Sequence, residues 1–253
     1  MTLAPLTQTN RVKQRNMFSG AIIGMGGLGC PALVTLLKSW PIDSELKLTI
    51  YDGDNVEISN LNRQILFTPS DIGKNKSMTA IKNLPLVLSA KIPTTINLSH
   101  VPSYVSRETI KHELKDADFI IDCTDSVSIK LVLNEYCVTH KKLLSYAGVL
   151  GKDGICFCIH PGGPCLSCLF GDFSTEDIVR IGGTCQEGGI IGASAALTAA
   201  LQIENLFLRL FNSRSDPLLS GTYLYTIQST SIKKTLIKAD QHCSLKCTEH
   251  VRV

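Results

Sequence analysis

Short apolar runs alternate with longer amphipathic stretches through the first 150 residues. Ser19–Gly24 (SGAIIG) predicts an apolar strand that ends in glycine. Gly29–Trp40 puts Leu33, Leu36 and Leu37 on one helical face, and Leu46–Asp52 (LKLTIYD) alternates as a strand does. Lys76–Leu88 has helical spacing, with Pro85 expected to interrupt its second half. Ile92–Val101 predicts a strand, Arg107–Lys115 a helix and Phe119–Asp122 an apolar strand. A helix over Ile129–Lys141 and a strand over Leu143–Ala147 complete the series. Strand and helix in strict alternation predict an α/β fold: a mostly parallel sheet with helices on both faces.

The pattern changes after residue 150. Gly154–His160 and Thr222–Leu236 predict strands of an antiparallel C-terminal extension. Ile191–Phe211 is a long, alanine-rich apolar helix expected to be buried, while Pro161–Gly163 and Asp172–Gly189 read as loops. No linker composition interrupts the chain. The expectation is one domain over 1–253: a polar leader (1–18), a nucleotide-binding half (19–150) and a second half (151–253).

Composition narrows the function classes. With 25 basic and 22 acidic residues, a net charge of +3 is too balanced to argue for nucleic acid or a membrane surface as partner. The uncharged stretches Ala21–Leu37 and Gly188–Ile203 are glycine-rich and too short to span a bilayer. Residues 1–18 carry no apolar signal segment, so a soluble, cytoplasmic protein is expected. Ten cysteines in such a chain then point to metal ligands, reactive thiols and ordinary core residues, not disulfides.

The candidate chemistry starts at Gly24-Met25-Gly26-Gly27-Leu28-Gly29, between a predicted strand and a predicted helix. Glycine suits a turn that brings backbone close to a phosphate, and the helix start that follows favours anions. Alone, this pattern also fits glycines that serve only a packed turn. Asp52 strengthens it: it ends the next strand, where an acid that binds ribose hydroxyls belongs. Next come Asp54, Asn60, Arg63 and Gln64, with Lys76 on the following element. A dehydrogenase has no use for such a cluster of donors, whereas a triphosphate needs a planar guanidinium fork, amide donors and a point charge. Asp125 lies just past a strand end, and a carboxylate among phosphates is a Mg²⁺ ligand by type.

These segments resemble the ThiF/MoeB/HesA family, relatives of the ubiquitin-activating enzymes. The resemblance rests on GMGGLG (24–29), D-x-D-x-V-x-x-S-N-L-x-R-Q (52–64), DIGKNKS (71–77), DCTDS (122–126) and CLSC (165–168), and SNLNRQILF reads like the ThiF branch. It implies a Rossmann-like adenylyltransferase. Such an enzyme uses ATP and Mg²⁺ to activate the C-terminal Gly-Gly carboxylate of a small ubiquitin-like sulfur-carrier protein, releasing pyrophosphate. By the same resemblance Gly26 and Gly29 approach the nucleotide, Asp52 takes the ribose, Asn60, Arg63 and Lys76 bind phosphates, and Asp125 holds magnesium. A homodimer is implied as well, with the apolar helix as one candidate interface. The second half would bind the carrier and a zinc ion.

The cysteines divide by position. Cys165-x2-Cys168 and Cys243-x3-Cys247 have the paired spacing of a four-thiolate zinc site, and the resemblance implies a zinc that pins the C-terminal tail. The second pair departs from the family's usual C-x2-C, four unrelated thiols are the alternative, and His242 is a weak competing ligand. Cys185, in the polar loop GGTCQEGG, is a candidate nucleophile for a thioester or acyl disulfide, or else a bystander. Cys30, Cys123, Cys137, Cys156 and Cys158 are expected in the core.

Relatives carry an arginine motif on a helix ahead of the glycine turn. Here the turn starts at Gly24, so that element is expected to be lacking, with Arg11 or Arg15 as candidate substitutes. No sulfur-transfer motif is read in these residues, so any sulfur donor is expected to be another protein. Two further classes stay open. One is adenylation of a peptide or small-molecule carboxylate in a maturation pathway. The other is a non-catalytic adaptor for a ubiquitin-like protein, against which the intact Arg63, Lys76 and Asp125 argue.

Overall fold

The structure, a computed structural model, describes residues 17–171, 189–212, 221–228 and 231–249. Fourteen elements run in chain order through these residues: β1 (Met17–Ile23), α1 (Gly29–Ser39), β2 (Glu45–Tyr51), α2 (Lys76–Leu88), β3 (Ile96–Val101), α3 (Ile110–Glu113) and β4 (Phe119–Asp122), then α4 (Val127–Thr139), β5 (Leu143–Leu150), β6 (Asp153–Ile159), α5 (Leu166–Phe170), α6 (Gly192–Phe211), β7 (Thr222–Gln228) and β8 (Ser231–Ile237). The strands form one eight-stranded sheet in the order β3-β2-β1-β4-β5-β6-β7-β8. Pairs from β3 to β5 are parallel, and β5 to β8 pair antiparallel. The α/β reading and the antiparallel extension therefore both hold.

Two hydrophobic clusters flank the sheet. One joins α1, α2 and α6 to the β1, β2 and β4 side chains of that face, including Leu33, Leu36, Trp40, Leu84, Phe119, Ile203 and Leu206. The other holds Ile110, Leu133, Tyr136 and Cys137 of α3 and α4 with Ile23, Ile120 and Phe157. Parallel strands covered on both faces must read as nearly continuous apolar runs, as Phe119–Asp122 does.

Several elements differ from the sequence reading. Pro85 does not break α2: it falls in the last turn, where its missing N–H removes a single ladder bond, and Ser89 (φ 51°) closes the helix in the left-handed region. The helix expected over 107–115 shrinks to one turn. Ser106 Oγ accepts the Glu108 and Thr109 N–H groups, as an N-cap does, and the turn it starts ends at Glu113. β3 begins only at Ile96, after Pro93. The helix α6 is half buried, not fully: Ala195, Thr198, Ala199, Gln202, Ile203 and Leu206 face the sheet while Leu197 is exposed. The stretch 222–236 is a hairpin of two strands, and α5 was not anticipated.

Candidate active site

Strand register assembles the site. Ile23 of β1 pairs with Tyr51 of β2 on one side and with Asp122 of β4 on the other. The next residues, Gly24, Asp52 and Cys123, therefore leave the sheet at one level, at the carboxyl ends of the strands. Between β1 and β4 the chain order reverses, which is where such sheets bind ligands. Gly24 has φ 91°, and a Cβ on it would lie 2.9 Å from the Cys123 carbonyl oxygen. A Cβ on Gly29 would collide with the Gly24 carbonyl oxygen. Those two glycines are thus fixed by local packing, and Gly26 and Gly27 line a cavity beneath Gln64 and Arg63.

That cavity has a volume of about 650 Å³ and brings together Gly24, Gly26, Gly27, Asp52, Asp54, Asn60, Arg63, Gln64, Lys76 and Asp125. All but one of the residues singled out for nucleotide binding line it. The exception, Gly29, supports the turn from behind. The size suits a nucleotide.

Asp52 is buried. Its Oδ2 accepts the Met25 N–H (2.5 Å) and its Oδ1 the Asp54 N–H (2.8 Å). Burial pushes its carboxyl up, against those two amides, which favour the charged form. Asn75 caps α2: its Oδ1 accepts the Met78 N–H, and its Nδ2 donates to the carbonyls of Asp52 and Asp54. The cap fixes Lys76, the first helical residue, beside Asp54, with Nζ 2.8 Å from Asp54 Oδ2. Tyr104 donates its hydroxyl to Asp54 Oδ1. Burial works against the Asp54 charge, but Lys76 and Tyr104 outweigh it and hold the carboxyl below its usual range.

The 57–64 turn supplies the remaining donors. Asn60 Oδ1 accepts the Glu57 N–H (3.0 Å) and Nδ2 donates to Ser59 Oγ (3.4 Å), so both ends of this amide engage its own turn, with one amide N–H left over. Arg63 Nη1 donates to Ser59 O and Asn62 Oδ1, which holds the guanidinium at the cavity wall. Gln64 is 3% exposed and its Oε1 is buried with no hydrogen-bond partner. A buried amide oxygen left unpaired on a cavity wall is costly unless a bound molecule donates to it.

Asp125 stands in the β4–α4 turn. It borders both this cavity and a second, apolar groove of about 310 Å³ lined by Val127, Tyr146, Val149, Ile155 and Ile227. Among the described residues no side chain donates to its carboxylate, so it is free to meet a cation. The acid among phosphate-binding donors fits Mg²⁺ by chemistry.

A buried ion pair lies just behind Asp125 and was not anticipated. Lys130 Nζ is 3.0 Å from Asp122 Oδ2 and 2.6 Å from the Ala147 carbonyl oxygen. Asp122 is fully buried and Lys130 8% exposed. Burial alone would lower the Lys130 pKa, but Asp122 reverses this and holds it above the usual value. The sequence signal was a lone lysine inside the apolar run Ile129–Leu133. Tyr104 was also missed, because an exposed aromatic in a loop has no pattern to betray it.

The four predicted zinc ligands do come together. The sulfurs of Cys165, Cys168, Cys243 and Cys247 all lie within 4.8 Å of one another, with Cys165–Cys243 at 3.5 Å and Cys168–Cys247 at 3.4 Å. Tetrahedral zinc with Zn–S near 2.3 Å requires sulfurs about 3.8 Å apart, so the set fits. The extra residue in Cys243-x3-Cys247 is absorbed by Lys246, which is left-handed (φ 48°) and returns its N–H to the Cys243 carbonyl. Cys30, Cys123, Cys137, Cys156 and Cys158 are all buried, and burial raises every one of these thiols, Cys30, Cys156 and Cys158 to about 12. They are inert core residues as expected. Cys185, Arg11 and Arg15 lie outside the described residues; after Cys185 the description resumes at Gly189, and Ile190 lines the cavity. Among the described residues no helix is long and apolar enough to cross a membrane.

Comparison with known proteins agrees with this geometry. The adenylyltransferase and sulfurtransferase MOCS3 of Culex quinquefasciatus is 29% identical over 232 residues, covering 90% of this chain and 50% of the relative. The sulfur carrier protein ThiS adenylyltransferase of Bacillus subtilis is 28% identical over 239 residues, covering 94% and 67%. The chain thus spans about half the length of the MOCS3 relatives. In fold it is similar to E. coli MccB solved with AMPCPP and MccA, at TM-score 0.73 and 21% identity over 90% of this chain and 66% of that one. The profile described as the ThiF family matches residues 2–247, and the chain belongs to that family.

Proposed function

We propose that this protein is an ATP-dependent adenylyltransferase that activates the C-terminal Gly-Gly carboxylate of a small ubiquitin-like sulfur-carrier protein. One observation carries the reading: Asp125 borders both the donor-lined cavity and the apolar groove. A peptide tail laid along the groove would bring its carboxylate to the Asp125 end, next to a nucleotide held in the cavity. The carboxylate then attacks phosphorus and pyrophosphate leaves. Both reactants are anions, so the reaction needs positioning and charge neutralisation more than bond-making help. Arg63 and Lys76 supply positive charge to the phosphates, Asp52 and Gln64 orient the nucleoside, and the turn at Gly26–Gly27 lets it approach. Asp125 would hold Mg²⁺, which when bound neutralises the phosphates. Cys165, Cys168, Cys243 and Cys247 would hold a structural zinc. The relatives named above support the carrier as substrate, since one of them is a ThiS adenylyltransferase by name. A homodimer in a cytoplasmic, ATP-rich setting belongs to the same reading.

ATP–pyrophosphate exchange tests it. Exchange is expected when a Gly-Gly carrier protein is added and not with a carrier lacking its last glycine. Exchange driven instead by a peptide or small carboxylate would shift the substrate class. Nucleotide binding without exchange from any carboxylate would leave the adaptor reading.

A further inference from the structure

The turn Asp122–Ser126 joins β4 to α4 and carries Asp125 at its outer end. Its two flanks are bridged from below. Asp122 Oδ1 accepts the Thr124 N–H (3.0 Å) and the Thr124 hydroxyl (2.8 Å), which folds the turn over the carboxylate. Asp122 Oδ2 receives Lys130 from the second turn of α4. Lys130 also reaches the Ala147 carbonyl of β5, and its ammonium lies 4.9 Å from the Tyr146 ring centroid. From the other face of the sheet, Gln202 Nε2 of α6 donates to the carbonyls of Asp122 and Ser145. Four elements thus converge on one turn.

A buried ion pair is a poor choice for stability alone, since its desolvation cost is comparable to its attraction. What it does provide is geometry. The pair spans the turn from the strand end to the helix, so the distance between those two anchors sets where Asp125 stands relative to cavity and groove. We propose that Lys130 is a positioning residue for the adenylation step, stapling the turn that presents Asp125 through its contacts with Asp122 and Ala147. It acts through Asp122 and Asp125; because Lys130 also borders the groove at its Asp125 end, the KM for the carboxylate substrate is read as well, and a rise there with kcat unchanged would overturn the positioning role. The inference rests on the adenylation reading for its kinetic arm and on nucleotide binding alone for the other.

Lys130→Met leaves Asp122 charged, buried and unpaired, and such a protein is expected to lose stability along with activity. The deciding variant is therefore Asp122→Asn/Lys130→Met, which removes both charges. Three further quantities are read: the thermal midpoint, kcat and the KM for ATP in pyrophosphate exchange, and ATP affinity by calorimetry with Mg²⁺ and with a chelator. The expected result is a midpoint recovered to near that of the wild type, while kcat stays down tenfold to a hundredfold, as displacement of a catalytic group by about 1 Å predicts, and the KM for ATP rises only by the factor that the Mg²⁺-dependent gain in affinity loses. ATP affinity in chelator should match the wild type, and the gain on adding Mg²⁺ should be reduced. Recovery of kcat together with the midpoint would overturn the proposal, as would an intact Mg²⁺-dependent gain in affinity. If the wild-type protein itself shows no exchange, the adenylation reading fails, and the calorimetric arm still decides whether Lys130 sets the Asp125 site.

Discussion

Lys76 and Asp54 form an ion pair on the wall of the cavity, 2.8 Å apart, with the lysine buried and the carboxylate about half exposed, and Tyr104 is bonded to the other oxygen of the same carboxylate. The cation is thereby held in place at the first turn of α2 before any phosphate arrives. Holding a charge in its working position avoids reorganisation at the moment of reaction. Lys76→Met should therefore lower the exchange rate by about two orders of magnitude or more. Asp54→Asn keeps an acceptor for Tyr104 but leaves Lys76 without its counter-charge, and a milder loss, about tenfold, is expected. Steady-state exchange kinetics check both; equal losses in the two variants would mean that Asp54 does more than hold the lysine.

The cysteine cluster predicts metal content. Purified protein should carry one zinc per chain by atomic emission, and Cys243→Ser should lose it. The sulfurs join α5 and its N-cap to the tail beyond β8, so the loss should show in stability. A fall of about 5 °C in the thermal midpoint is expected, roughly 2 kcal/mol for a chain of this size. Metal-free protein with an unchanged midpoint would remove zinc from the account.

Most of the cavity lining was legible because it is built from backbone turns and polar runs with distinctive residue types. Gly24 needs a positive φ, Asp52 ends a strand, and Arg63 and Lys76 stand in polar runs. The four ligand cysteines were legible by spacing. What stayed hidden depends on tertiary packing. Lys130 looks like any helical lysine until Asp122 and the Ala147 carbonyl are placed beside it. Local bonding hid the rest: both ends of the Asn60 amide bond within its own turn. Pro85 shows the opposite error, a breaker at a position where little is left to break.

Cys185 carries a prediction that separates two roles. If adenylation needs only the cavity, Cys185→Ala should leave ATP–pyrophosphate exchange at the wild-type rate. The same variant should form no covalent adduct with the carrier, as seen by non-reducing electrophoresis or intact mass. An adduct that persists in Cys185→Ala would dismiss this thiol as the nucleophile, and loss of exchange would assign it to structure instead.

Asp71 closes the loop that follows the 57–64 turn of the cavity. It is 3% exposed, its Oδ2 accepts the Thr68 N–H, the Thr68 hydroxyl and Asn83 Nδ2, and its Oδ1 meets Lys74. Burial alone would raise its pKa, but these donors outweigh it and hold the carboxyl far below the usual range. A carboxyl depressed in the folded state stabilises fully above its unfolded pKa, near 4, and that contribution is lost as pH falls toward the folded value. Asp71→Asn should therefore cost about 1–3 kcal/mol at pH 7, the usual worth of hydrogen bonds to a charged group. The gap between wild type and variant should narrow at pH 3, where the unfolded carboxyl is mostly protonated, and close at lower pH. Urea titrations at pH 7 and pH 3 measure it. A gap of the same size at both would show that Asp71 acts by shape and not by charge.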